Sequence, residues 1–134
     1  IFVLNSIIYN FDIVMNSTEF GKMGEEMAAD YLLSNGYDLL DKNWRFNRKE
    51  LDLVCEINDY IVFIEVKSRQ DTALEDPTRA ITKSKKRFLI EAANAYIFEY
   101  DIEKEVRFDV ITILLDERGA PALEHYENAI IPEV

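Results

Sequence analysis

The first strong periodicity in the chain is helical and covers residues 17–35. Apolar side chains recur there at spacings of three and four residues, at Phe20, Met23, Met27 and Tyr31. Gly36 follows, and a glycine directly after a periodic segment is a typical helix C-terminus. A second helix is predicted from residue 77 to about residue 100, because Asp76 and Pro77 form a typical helix start and an apolar stripe follows them.

Between and after these helices the pattern is that of β-strands. Residues 38–46 read as a strand, and two further β-rich runs at 50–57 and 60–68 are separated only by Asn58-Asp59, which predicts a hairpin. Residues 105–115 form another strand, followed by a turn and a short final strand or irregular tail. The order helix, three strands, helix, one or two strands predicts an α/β fold with a mixed β-sheet flanked by helices.

The chain has 134 residues, which is the size of one compact domain. We expect the domain to cover residues 15–134, because Met15 precedes the first helix, and residues 1–14 to form an apolar N-terminal extension outside it. That extension is too short and too polar to span a membrane, so no membrane partner is expected. The single cysteine excludes an internal disulfide and fits a reducing, cytoplasmic compartment.

The predicted hairpin places charged side chains opposite one another. With Asn58 and Asp59 as the turn, Asp52 lies across from Glu65 and Glu50 lies across from Lys67, and all four project from one face of the sheet. Cross-strand Cβ atoms are ~5 Å apart, and two carboxylates at that separation repel unless a cation or a proton lies between them.

Two interpretations of this pattern remain open from the residues alone. Two hard oxygen ligands beside a lysine suit a magnesium-type site, with Lys67 orienting or deprotonating a water or stabilising charge on a phosphate. The alternative is the solvated face of an antiparallel pair, held by surface ion pairs. The first interpretation explains why Glu65 and Lys67 interrupt an otherwise apolar strand.

Glu25 lies beside apolar surface in the first helix, close to Ala28, Ala29 and Leu32 by helical spacing. Its carboxylate is either a partner for the dipole at the helix N-terminus or a further group that faces the site.

The net charge is −11, which argues against binding nucleic acid by bulk attraction. Nine of the 15 basic residues nevertheless lie in two acid-free runs, at 42–49 and 79–87. Such runs are either solvated faces or a local phosphate-binding surface. For the second case the expected nucleic-acid contacts are Arg45, Arg48, Lys49, Arg69, Lys83, Lys86 and Arg87.

Other candidate residues carry less weight. His125 is the only histidine, which excludes a zinc cluster built on histidines, and we expect it to be a packing or surface residue. Cys55 alternates onto the apolar face and is expected to be an inert core thiol. Trp44 could stack on a base, but packing beneath the sheet is the favoured interpretation.

Five segments in order resemble the bacterial YraN-type family: GKMGEEMAADYL, GYDLLDKNWR, KELDLV, VFIEVKSR and RFDVITI, at 21–32, 36–45, 49–54, 62–69 and 107–113. That family is similar to archaeal Holliday-junction resolvases and to the restriction-endonuclease-like superfamily, whose motif is an acid followed by Glu-x-Lys. The resemblance implies Asp52, Glu65 and Lys67 as the catalytic positions and Glu25 as the matching acid of the first helix.

Together these observations predict a Mg²⁺- or Mn²⁺-dependent nuclease that acts on DNA, with branched or structured sites as the expected substrate. Asp52 and Glu65 would hold the metal. A homodimer is expected, because resolvases cut two strands symmetrically. The alternatives are a non-catalytic nucleic-acid-binding module with the same fold and, with less support, a protein-interaction scaffold.

Overall fold

The computed structural model of the chain describes residues 16–69, 81–116 and 118–132. The two helices are α1 (Ser17–Ser34) and α2 (Lys83–Glu99). The strands in chain order are β1 (Asp38–Phe46), β2 (Lys49–Ile57), β3 (Tyr60–Arg69), β4 (Glu105–Leu115) and β5 (Pro121–Tyr126).

The five strands form one sheet in the order β1-β2-β3-β4-β5. Strands β1, β2 and β3 form an antiparallel meander, β3 and β4 pair in parallel, and β5 returns antiparallel to β4. Helix α2 lies in the crossover connection that the parallel pair requires. The predicted α/β class, mixed sheet and element order are therefore confirmed, and the C-terminal element is a strand.

Each helix begins at a side-chain cap. Asn16 and Glu19 form a reciprocal capping box at the start of α1. Thr82 caps α2 by accepting a hydrogen bond from the N–H of Lys85. The predicted start at Asp76 and Pro77 lies outside the described residues, but residues 81–82 are not helical, so α2 begins at Lys83.

The sheet buries a hydrophobic cluster on each face. One cluster joins α1 to side chains of β2, β3 and β4, and the other joins α2 to the opposite side of the same strands. Cys55 is fully buried in the α1 cluster, and burial raises its pKa to about 12, as expected of an inert core thiol. Because both faces are covered, a charged side chain in the middle of the sheet is forced away from bulk water.

Strands β2 and β3 pair in the predicted register, from Ile57 opposite Tyr60 to Leu53 opposite Ile64. The predicted N-terminal extension, residues 1–14, lies outside the described residues. Within the described ranges, neither helix is long and apolar enough to cross a membrane.

Candidate active site

Asp52 and Glu65 lie one step beyond the last regular pair of β2 and β3, and they are close enough for the charge of Asp52 to raise the pKa of Glu65. The Oδ2 atom of Asp52 accepts a hydrogen bond from the backbone N–H of Val66 at 2.9 Å. The Asp52 side chain therefore satisfies a backbone donor that the diverging β2 backbone leaves without a partner. The result is the acid pair predicted from the hairpin register.

The regular alternation of side chains breaks at Asp52. Leu53 packs in the α1 cluster, whereas Leu51, two residues earlier, packs in the α2 cluster. Across from this point on β1, Asn43 has a left-handed φ of 52°. As a result Glu50 lies beside Glu25 in a groove along α1, and the prediction that it shares a face with Lys67 is wrong.

Glu65 is the most confined carboxylate of the site, with 3% of its surface exposed. Its Oε1 atom lies 3.4 Å from the Nζ of Lys85 and 3.8 Å from the Nζ of Lys67. Its Oε2 atom is buried and has no hydrogen-bond donor in the described part of the chain. Two ionised carboxylates placed close together repel each other, so a proton or a cation between Asp52 and Glu65 is favoured.

The electrostatics of the pair agree with this preference. Burial, and then the charge of Asp52, raise the pKa of Glu65 to about 8. Burial also raises the pKa of Asp52, against the hydrogen bond from Val66 and the positive charge of Lys85. Each carboxyl group of the pair therefore holds a proton more tightly than a free carboxyl group does.

Lys85 is the site residue that the sequence interpretation missed. Its basic run was recognised, but the expected contacts from that run were Lys83, Lys86 and Arg87. Helical spacing carries the missing signal, because Lys85 lies three and four residues before Phe88 and Leu89, which both face the sheet. In the structure, the ammonium of Lys85 lies nearer to Glu65 than the ammonium of Lys67 does.

Glu25 reaches the same region from α1. Burial and then the charge of Asp52 raise its pKa, against a hydrogen bond from Asn43. Its placement in the structure therefore favours the interpretation in which it faces the site over a partnership with the helix dipole alone. Glu50 also raises the pKa of Glu25, and both residues line one groove along α1.

The donor set suits one kind of metal site. Among the described residues, no group of three or more His, Cys, Asp or Glu side chains is arranged to hold an ion by itself. Asp52 and Glu65 instead offer two hard oxygen ligands and a buried, unpartnered Oε2. A magnesium-type ion uses such a pair, because it keeps several waters and completes its shell with substrate phosphate.

Some of the predicted nucleic-acid contacts line a common groove. Arg48, Lys49 and Arg87 lie with Phe46 and Phe88 around a groove of about 610 Å³ between the β1–β2 turn and α2. Lys49 and Lys85 lie 5.5 Å and 5.2 Å from the centroid of the Phe88 ring, within cation–π distance.

The remaining predicted contacts lie outside the lining of this groove. Lys83 and Lys86 belong to the first turn of α2. Arg45 is exposed on the edge strand β1, opposite Glu50, and Arg69 ends β3 beside Leu114 of β4. Trp44 packs edge-on against Tyr96, with 5.1 Å between ring centroids, as the favoured interpretation held.

A second buried polar cluster surrounds Asp109 on β4 and was not anticipated. Arg107 donates two hydrogen bonds to Asp109 at 2.9 Å and one to Tyr37 at 2.8 Å. His125 lies between Asp109 and Tyr31, with contacts of 2.7 Å and 3.0 Å. Every member of the cluster has a partner, so it fastens β4, β5 and α1 together and His125 is a packing residue, as expected.

Related sequences come from several bacteria. The chain is 41% identical over 116 residues to a UPF0102 protein of Phocaeicola vulgatus, covering 87% of this chain and 95% of that protein. It is 32% identical over 111 residues to a UPF0102 protein of Flavobacterium psychrophilum, covering 83% and 92%. Among solved structures, SfsA of Pyrococcus furiosus in complex with Ca²⁺ aligns with a TM-score of 0.39 at 15% identity, over 85% of this chain and 64% of that one.

The sequence profile of the uncharacterised protein family UPF0102 matches residues 24–113, which include Asp52, Glu65, Lys67 and Lys85. This confirms the YraN-type resemblance of the five sequence segments. The chain belongs to the uncharacterised protein family UPF0102.

Proposed function

We propose that this protein is a Mg²⁺- or Mn²⁺-dependent nuclease of the restriction-endonuclease-like type that hydrolyses DNA phosphodiesters at branched or structured sites. The observation that carries the proposal is the closeness of the half-buried Asp52 to the buried Glu65, with two lysines against one oxygen of Glu65. A buried pair of acids destabilises a fold unless it binds something. The α-β-β-β-α-β order of the elements supports the same assignment.

Asp52 and Glu65 would hold the divalent ion, with Glu25 close enough to Asp52 to contribute directly or through water. When bound, the ion would activate a water and polarise the scissile phosphate. The hydrogen bond from Val66 fixes the carboxylate of Asp52, so no reorganisation is required of it when substrate arrives.

Lys67 would orient the attacking water or donate a hydrogen bond to a phosphate oxygen, because its ammonium is 3.8 Å from Glu65 and partly exposed. The groove of Arg48, Lys49 and Arg87 would bind phosphates beside the cut, and Arg45, Arg69, Lys83 and Lys86 would extend that surface. This local basic surface offsets the net charge of −11 within a Debye length of ~10 Å. A homodimer and a cytoplasmic location remain predictions.

The decisive experiment is a cleavage assay on a four-way junction, a flap and a plain duplex with Mg²⁺ or Mn²⁺. We expect the wild-type protein to nick the junction or flap, and Asp52→Asn to lose that activity by at least about a hundredfold. Asp59→Asn is the matched control, because Asp59 is an exposed turn residue and the chemical change is the same.

Three outcomes separate the alternatives. Cleavage that survives Asp52→Asn contradicts the proposed site and points to a contaminant. Salt-dependent DNA binding without cleavage under any divalent ion supports the non-catalytic module instead. Absence of binding at low salt leaves the interaction scaffold as the remaining interpretation.

A further inference from the structure

Lys85 occupies an unusual place for a lysine. Helix α2 begins Lys83-Ser84-Lys85-Lys86 and has no acid in its first turn. The N-terminal turn of a helix carries a partial positive charge, so cations there are unfavourable and anions are favoured. The arrangement therefore works against the stability of α2 unless these lysines have an anionic partner.

The partner that the structure gives Lys85 is Glu65. The Nζ of Lys85 lies 3.4 Å from Oε1, the same oxygen that Lys67 approaches at 3.8 Å. Both lysine side chains keep about a third of their surface or less exposed, at 27% and 33%, while Glu65 keeps 4%. Two ammonium groups thus converge on one oxygen of the acid pair, while the other oxygen of Glu65 has no donor in the described residues.

Lys85 also lies beside the groove of Arg48, Lys49 and Arg87, next to the lining residue Ser84. Its ammonium lies 5.2 Å from the ring centroid of Phe88, a groove-lining residue that Lys49 also approaches. A lysine side chain has four rotatable carbon–carbon bonds and a compact charge. Rotation about these bonds allows the ammonium to leave Glu65 while it stays near Phe88 and the groove.

We propose that Lys85 is an exchangeable counter-ion of the active site. Its ammonium is the counter-ion of the acid pair in the metal-free protein, gives up the Glu65 oxygen when a divalent cation binds to the pair, and then contacts a phosphate of the bound strand. This inference rests on the proposed nuclease function and adds to it a residue from α2. Lys85 thereby links binding of the metal ion to binding of the substrate.

The test compares Lys85→Met with the matched control Lys86→Met, which removes the same charge from the next residue of the helix. Binding of Mg²⁺ is measured by calorimetry at about pH 9, where protons compete little for the acid pair. Because Lys85→Met removes a competing positive charge, we expect Mg²⁺ to bind about threefold or more tightly, with Lys86→Met unchanged.

The second measurement uses a phosphorothioate oligonucleotide with Ca²⁺ at saturation. Lys85→Met should bind this oligonucleotide about threefold or more weakly, so that the two affinities change in opposite directions. Lys86→Met serves as the reference for loss of a phosphate contact alone. Melting curves check folding, and Lys85→Gln replaces Lys85→Met if the latter does not fold.

Each remaining outcome overturns a stated claim. Unchanged Mg²⁺ affinity in Lys85→Met, or an equal change in Lys86→Met, overturns the exchangeable counter-ion and leaves the nuclease proposal standing. Mg²⁺ binding that is absent from the wild-type protein overturns the metal site itself, and the inference falls with it.

Discussion

The Oγ of Ser68 on β3 occupies the space in which any side chain on Gly24 of α1 would lie. A Cβ built on Gly24 would be 1.9 Å from that oxygen and 3.2 Å from the Cβ of Ser68. Helix α1 therefore approaches β3 more closely than an alanine would permit, at the residue directly before Glu25 and beside the residue that follows Lys67. The position of the helix acid depends on this contact.

We predict that Gly24→Ala lowers the free energy of unfolding by about 1–3 kcal/mol, because the new methyl group must displace Ser68 or α1. Gly21→Ala is the matched control, since nothing lies within 4 Å of its Cβ position, and it should stabilise α1 by about 0.5–1 kcal/mol. Chemical denaturation of both variants measures the difference.

The same contact gives a double-mutant test. Adding Ser68→Gly removes the two atoms that the new methyl group would clash with and leaves an ordinary contact of 3.7 Å with Ile113, so it should recover much of the loss caused by Gly24→Ala. Strictly additive effects of the two substitutions would show that the close approach is not the cause.

Glu65→Gln should stabilise the metal-free protein in a pH-dependent way. The pKa of Glu65 is raised to about 8 in the folded state, so folding holds a proton that the unfolded chain releases above about pH 4.3. The loss of folding stability caused by Glu65 grows as the pH rises between the unfolded and the folded pKa, and it is constant above the folded pKa. The melting-temperature gain of Glu65→Gln over wild type should therefore increase from about pH 5 to about pH 8 and then stay constant.

This prediction is measured in the presence of a chelator. Glu105→Gln is the control, because Glu105 is exposed at the start of β4. A gain that is the same at every pH would show that Glu65 is ionised throughout the window.

The contribution of Asp109 to folding stability should depend on pH in the opposite direction from that of Glu65. Burial alone would raise its pKa, but the hydrogen bonds from His125, Arg107 and the backbone of Asn128 lower it below the usual range. Its contribution is complete above the unfolded pKa of ~3.9 and is lost as the pH falls through the lower folded value.

We predict that Asp109→Asn destabilises the protein by about 3–5 kcal/mol at neutral pH, because it leaves the charge of Arg107 buried without its carboxylate. The difference in stability from wild type should stay constant from about pH 6 to about pH 4 and narrow as the pH falls further. Thermal unfolding over this range measures it, with the exposed Asp38→Asn as control. A gap that does not change with pH would contradict the lowered pKa.

Lys49→Ala with Arg87→Ala should reduce the salt dependence of DNA binding. If both groups contact phosphate in the groove, the slope of log K against log salt should fall by about two. Lys104→Ala removes one charge at the other end of the sheet, where Lys104 pairs with Glu56, and should leave the slope unchanged. If Lys104→Ala lowers the slope as much per removed charge, DNA is attracted to the whole surface of the protein rather than to the groove.

The acid pair could be predicted from sequence because a two-residue turn fixes the register of a hairpin over its whole length. Asn58 and Asp59 set that register, and the pairing of Leu53 with Ile64 follows from it. The position of Glu50 could not be predicted in this way, because the left-handed backbone of Asn43 lies on a neighbouring strand and breaks an alternation that sequence spacing assumes to continue.

The cluster around Asp109 could not be predicted from local sequence patterns, for a different reason. Its partners Tyr31, Tyr37 and His125 come from α1, from the connection between α1 and β1, and from β5, and only the folded sheet brings them together. The position of Lys85, by contrast, could have been predicted from the sequence, because the apolar stripe of α2 indicates which side of the helix faces the sheet.

The burial of Cys55 has a practical consequence for fluorescent labelling of the protein. It is the only cysteine in the sequence, and its thiol is enclosed and resists ionisation. A thiol-reactive fluorophore would therefore attach only to a cysteine introduced on the surface, such as Asn94→Cys on the exposed side of α2. The native chain can thus be labelled at one chosen point without first removing a residue from its core.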